Sequence, residues 1–286
     1  MSSATPLPVP MDEDSLASAL RARLESGPIE LPLLPETATA VLAACRRDES
    51  GTREVAQIMQ RDPALTANVL RIANSALYSR GAAIVSLPHA VGRLGISTVG
   101  EIAAAAVMRT TLFTNAPEEV SIEELWRHSA CCANWAREIA RYRRHSVEGA
   151  FLAGLLHDVG KPVLHHLIAQ DNAHARHAIP IEVTRRVVED MHGEIGGLLA
   201  ERWNLAEWIA IAIAHHHHPE NAPSHPSEVH TVALANHFAH VVSDSSFTNI
   251  SHIAHPSVDV LDLYVEDLEA LAERRDDVHS AVEAMP

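Results

Sequence analysis

Two adjacent residues, His157 and Asp158, lie inside the run Leu155-Leu156-His157-Asp158-Val159-Gly160-Lys161. An imidazole beside a carboxylate, just past an apolar helix, can grip one divalent cation jointly. Other residues of the same two types could join them. Glu124 and His128 are four apart, so on a helix they share a face. His192 begins the segment His192-Gly193-Glu194-Ile195-Gly196, and His215 to His218 close an apolar helix ahead of Pro219. Mixed imidazole and carboxylate shells suit Fe, Mn or Zn. A site with two or three ions needs about this many ligands to hold the metals and leave room for water or phosphate. Each residue also has an ordinary explanation. Glu124 fits a capping box, His128 a core histidine satisfied by a carbonyl, His192 a helix start, and the histidine run a solvated helix end favoured by the dipole. Singly each is sufficient; jointly they require several coincidences.

The elements that must position these residues read as helices throughout. Pro35-Glu36 opens one with Ala38, Val41, Leu42 and Cys45 on a common face, and Thr52 is placed to cap the next. Asp62-Pro63 is a strong start signal, an N-cap carboxylate followed by proline at the first helical position. Ser86-Leu87-Pro88 begins a short helix stopped by Gly95, and a long Ala-rich helix follows from about 97 to 113. Asn115-Ala116-Pro117 is a break. Ser121-Ile122-Glu123-Glu124 has capping-box spacing and opens a helix to about Tyr142. Further helices are expected over about 146–157, 161–169, 181–190, 193–203, 206–216 and 227–242, then a polar stretch and an acidic helix over about 259–274. No convincing alternating strand appears, so the fold class is all-α.

Composition agrees. The 286 residues are 47% hydrophobic but only 4% aromatic, a palette of packed helices rather than β-sandwiches. A formal charge of −15 argues against non-specific binding to nucleic acid or anionic membrane. Arg137, Arg141, Arg143 and Arg144 read as a solvated helix end. The segment Leu87 to Val107 mimics a helix-turn-helix, yet its second helix carries Glu101 and almost no cation before Arg109, so phosphate contacts are hard to supply. Cys45, Cys131 and Cys132 make no disulfide framework. The polar, Pro-rich start is unlike a signal peptide and no run approaches membrane-spanning length; the expectation is a cytoplasmic protein.

Motifs in order along the chain carry a resemblance. They are Leu31-Pro32-Leu33-Leu34-Pro35, Asp62-Pro63-Ala64-Leu65, Leu70-Arg71-Ile72-Ala73-Asn74-Ser75-Ala76, Ile84 to Val91 and Leu94-Gly95. Trp126-Arg127-His128-Ser129, Gly154 to Lys161, and Ala212-Ile213 before His216-His217 continue it. The chain resembles HDOD proteins, bacterial signalling relatives of the HD phosphohydrolases and the HD-GYP cyclic-di-GMP phosphodiesterases. The resemblance implies two packed helical subdomains, the C-terminal one HD-like. Its boundaries are a variable lead-in over 1–27, an HDOD domain over 28–242 (28–115 and 116–242), and a polar linker with an acidic helix over 243–286.

By motif, the resemblance puts His128, His157, Asp158, His192, His216 and His217 on metal-ligand positions, with Glu124 an occasional extra ligand. Lys161 falls on the lysine that contacts substrate phosphate in active relatives. Two departures stand out: Asn236 occupies the place of the closing aspartate, and His218-Pro219-Glu220-Asn221 follows where a Gly-Tyr-Pro element is expected. An amide oxygen is a neutral, weaker ligand. Asp244 is too far along the helix to substitute simply. The implied role is therefore a metal-capable regulatory module acting on other signalling proteins, such as a kinase or a cyclic-di-GMP enzyme, without efficient hydrolysis. The alternative is a metal-dependent phosphohydrolase or phosphodiesterase acting on nucleotides or cyclic dinucleotides.

Overall fold

Short polar caps, prolines and a few glycines divide the chain into helices. The computed structural model describes residues 12–26, 36–45, 47, 51–75, 78, 84–111, 121–174, 179–203, 205–243 and 253–285, and every regular element among them is helical. In order these are α1 (Glu13–Ser26), α2 (Glu36–Cys45), α3 (Thr52–Met59), α4 (Pro63–Ala73), α5 (Leu87–Leu94), α6 (Ile96–Thr111), α7 (Ile122–Arg143) and α8 (Val147–Leu156). Then follow α9 (Gly160–His174), α10 (Ile181–Arg202), α11 (Glu207–His215), α12 (Pro226–Ser243), α13 (Pro256–Val260), α14 (Val265–Ala272) and α15 (Arg275–Ala284). The Leu31–Pro35 motif, the break at 115–117 and the polar stretch with Asp244 lie outside the described residues.

Several boundaries have the expected cause. Asp62 caps α4, its Oδ1 accepting from the Leu65 N–H at 3.0 Å, and Gly95 ends α5 in the left-handed region at φ 85°. Ser121 accepts from the Glu124 N–H at 3.3 Å, as the capping-box spacing requires. Three expectations need correction. Thr52 is the first residue of α3 rather than its cap, because Gly51 takes the extended N-cap position. The two helices expected over 181–190 and 193–203 are one, α10, and Gly193 inside it serves close packing rather than a boundary. The acidic helix expected over 259–274 is instead the end of α13 and then α14, and a further helix, α15, follows it. Asp262 turns left-handed at φ 47°, a conformation that Asp tolerates, and the Tyr264 N–H then donates to Asp267 Oδ2 at 2.8 Å at the start of α14.

Three groups of buried side chains hold the fold. α2 to α6 pack around Val41, Val55, Met59, Leu65, Val69 and Val99. A second group joins α8 to α12 and takes in Leu16 and Leu20 of α1. The third sets α7 and α12 against the C-terminal helices through Trp135, Phe238, Leu261 and Leu271. Val99, Ile102, Ala103 and Ala106 of α6 are all buried in the first group, so the helix-turn-helix mimic has its second helix in the core.

Arg137 is not a solvated arginine: its guanidinium reaches Glu101 of α6 at 3.4 Å. Cys131 and Cys132 are free thiols on α7. Among the described residues no helix is long and apolar enough to cross a membrane.

Candidate metal centre

α8 is apolar and buried nearly all round, and it ends where the chain must turn. His157 is its C-cap residue, Asp158 lies in the following turn, and α9 begins at Gly160. That glycine is sterically required. A Cβ there would meet the carbonyl oxygen of His192 at 2.0 Å, so the absence of a side chain lets α9 start directly against α10. Gly193 plays the same part on the other side, where a Cβ would lie 2.9 Å from the Ala214 carbonyl oxygen of α11. These close approaches bring His157, Asp158, His192 and the end of α11 to one point. α7 adds His128 and α12 adds Asn236.

The side chains form two groups sharing one carboxylate. Asp158 joins His192, His216 and His217 in one, and His128 and His157 in the other, with the ligand atoms of each group within 4.8 Å of one another. Asp158 faces both ways. Its Oδ1 lies 3.2 Å from His192 Nε2 and 3.8 Å from His216 Nε2. Its Oδ2 lies 3.5 Å from His157 Nε2 and 3.9 Å from His128 Nε2. Asn236 Oδ1 is 2.9 Å from His128 Nε2.

Backbone carbonyls set the rings. His157 Nδ1–H donates to Gly154 O at 2.7 Å, His192 Nδ1–H to Val188 O at 3.0 Å, and His216 Nδ1–H to Ile213 O at 2.7 Å. A carbonyl only accepts, so each Nδ1 carries the proton and each Nε2 points inward. This is the outer-shell arrangement that orients metal-ligating histidines. Burial pushes His157 down to about 3 and His128 down to about 4, and burial likewise lowers His216 well below the ordinary range. The Nε2 atoms of His157 and His216 are therefore bare lone pairs at neutral pH.

Burial alone would raise the Asp158 carboxyl. The charges around it, the Lys161 ammonium 3.0 Å from Oδ2 among them, outweigh burial and hold the group well below the carboxylate range.

The donor set fits a divalent cation. His192 Nε2 faces His216 Nε2 at 3.4 Å and His217 Nε2 at 3.1 Å, and His128 Nε2 faces His157 Nε2 at 3.2 Å. Metal bonds of about 2.0–2.2 Å place neighbouring ligand atoms about 2.9–3.5 Å apart. Asp158 Oδ1 is fully buried and has no hydrogen-bond donor among the described residues. An orphaned carboxylate oxygen among inward lone pairs is costly unless a cation answers it.

Of the residues singled out from sequence, His128, His157, Asp158, His192, His216, His217 and Asn236 converge here. Glu124 is exposed and lies outside both groups, although it lines the same cavity. Lys161 is tied to Asp158 and, at 3.4 Å, to Glu189. His215 stands in neither group, and His218 is solvent-exposed beside Glu220 at 3.5 Å. His240 was missed. Its ring centroid is 4.2 Å from that of His128, and its place one turn after Asn236 on α12 was the available signal. A cavity of about 1170 Å³ opens onto Asp158, His128 and Lys161.

An all-helical fold with a His-Asp pair at the junction of five helices defines an HD-type protein. Residues 31–219 match the HDOD domain, and the chain belongs to the HDOD family. The chain is similar in structure to a candidate metal-dependent phosphohydrolase from Shewanella amazonensis SB2B, at 25% identity and a TM-score of 0.72, covering 96% of this chain and 99% of the other. It is equally similar to an HDOD domain protein of unknown function from Geobacter sulfurreducens, at 26% identity and a TM-score of 0.72, covering 94% and 96%. A curated relative, an uncharacterized protein of Treponema pallidum (strain Nichols), is 25% identical over 234 residues. That match covers 77% of this chain and 44% of the relative, so the chain spans less than half of the relative's length.

Proposed function

We propose that this chain is a signal-transduction module whose HD-like half holds divalent metal and which works mainly through contacts with other signalling proteins. The observation that carries the reading is the buried double group around Asp158, with an amide, Asn236, where a closing carboxylate is expected. His128, His157 and Asp158 would hold one ion, and Asp158, His192, His216 and His217 a second. Bound there, Fe, Mn or Zn would supply Lewis-acid charge and the capacity to activate water.

The chain's own residues favour a stable centre over turnover. Asn236 Oδ1 accepts from His128 Nε2 when that nitrogen carries the proton, and it would ligate beside His128 when it does not. In neither case does it add negative charge. Lys161 is already paired with Asp158 and Glu189, so its charge is largely answered before a phosphate arrives. The helices of 28–115 would offer the protein-facing surface, with a kinase or a cyclic-di-GMP enzyme as the partner class.

A second reading, metal-dependent phosphohydrolysis of nucleotides or cyclic dinucleotides, is favoured by one observation: the cavity that reaches Asp158 and Lys161. One experiment separates the two. Metal content is measured on untagged protein, and cyclic dinucleotide and nucleotide turnover is compared with a His157→Ala/Asp158→Ala double variant in added Mn or Fe. Bound metal with equal, negligible turnover in both proteins is expected. Robust turnover lost in the double variant sinks the non-hydrolytic reading, and absence of metal from untagged protein sinks the metal centre.

A further inference from the structure

The cavity over the histidine groups is walled on one side by a helix outside the family match. The HDOD likeness spans residues 31–219, whereas α15 (Arg275–Ala284) contributes Arg275, Val278 and Val282 to the lining. α15 is fixed in place. Val278 and Ala281 are buried, Arg274 bonds Glu138 of α7 at 3.3 Å, and Asn134 of α7 meets Met285 Sδ at 3.4 Å.

Arg127 of α7 and Arg185 of α10 line the same space. Unlike Lys161, none of Arg127, Arg185 and Arg275 forms an ion pair with another described residue. Three guanidinium groups on three helices, without carboxylate partners among the described residues, thus line one cavity of a chain of net charge −15. A guanidinium fork matches the oxygens of phosphate in pairs. The volume of about 1170 Å³ is that of a small-molecule site, slightly above the roughly 300–1000 Å³ common for such pockets. The acids of the lining do not cancel this. Asp158 and Glu189 are committed to Lys161 and the histidines, which leaves Glu124 and Asp276 against three arginines.

We propose that Arg275, presented by α15, is an anion-recognition residue of this cavity: with Arg127 and Arg185 it holds the phosphate oxygens of a small ligand above the metal ligands. The C-terminal helix is thereby part of the site, and an occupied cavity is tied to the packing of α15 on α7. The proposal rests on the metal-centre reading for what lies at the cavity floor, while the three arginines stand independently of it.

Inorganic phosphate is titrated into the untagged full chain, both chelator-treated and Mn-loaded with free metal removed. Thermal shift and hydrogen exchange over residues 275–284 are the readouts. Saturable binding is expected, with slower exchange in α15. Arg275→Ala and Arg275→Glu should weaken binding about tenfold or more, the scale of a lost charge-assisted hydrogen bond. Arg93→Ala, on the exposed face of α5, should leave it unchanged, and bound metal should be equal in all variants. Equal affinity in wild type and Arg275→Ala, or no saturable binding in either metal state, overturns the proposal. Arg275-dependent phosphate binding by a protein that takes up no metal supports the proposal and overturns only the metal-centre reading.

Discussion

Asp158 is the residue on which both ligand groups depend. Its two oxygens face different histidines, and one of them has no donor among the described residues. Replacing it with Asn removes the shared charge, so Asp158→Asn should empty both groups. His217 belongs to one group only and is the most exposed of its ligands, so His217→Ala should lower metal content by about half of the wild-type value. Mass-spectrometric metal counts on untagged protein check this. A loss in Asp158→Asn no greater than half of the wild-type value would show that the groups are not joined through Asp158. The ligand positions were legible in the sequence because each falls on a motif that carries the HDOD resemblance, although only His157, His216 and His217 stand at helix ends while His128 and His192 lie inside α7 and α10. His240 offered only its place one turn after Asn236 on α12, and Arg275 offered nothing, because its place depends on how α15 packs against α7 and no local pattern encodes that.

At the level of the helices, glycine decides the geometry. Gly193 carries an intrinsic cost in a helix interior, yet α10 runs through it where two helices, over 181–190 and 193–203, are expected. Packing overrides that cost, since α10 must pass close to α11 at this point. The stronger case is Gly160, where a methyl group would meet a backbone carbonyl that cannot swing aside. Gly160→Ala should force α9 from α10, cost roughly 1–3 kcal/mol or more as overpacking does, and displace His192 from the metal groups. Gly92→Ala is the matched control, because a Cβ there meets nothing within 4 Å and the change should be neutral or stabilise α5 by up to about 1 kcal/mol. Urea unfolding of the two variants distinguishes steric necessity from general helix propensity. Similar stabilities would refute the packing account.

The whole molecule is joined through a buried charge. Glu101 of α6 belongs to the first half and Arg137 of α7 to the second, and their side chains are 7% and 13% exposed with 3.4 Å between them. Arg137 also lies 3.6 Å from Glu138, which holds Arg141 and Arg274 in turn, so the chain of ion pairs runs from α6 to the edge of α15. Burial raises Glu101 to about 7, against the opposing pull of Arg137. The folded state therefore holds this proton more tightly than the unfolded chain does. Stability from this group is fully present below about 4.5 and is lost as pH rises through about 7, an effect on the order of 3 kcal/mol. Glu101→Gln cannot ionise and should flatten that part of the profile. Urea unfolding at a series of pH values from 4.5 to 8, wild type minus variant, isolates the contribution from the histidines, which titrate in both proteins. A difference that stays constant across this range would mean that the carboxylate is ionised throughout and that Arg137 outweighs burial at the junction of the two halves.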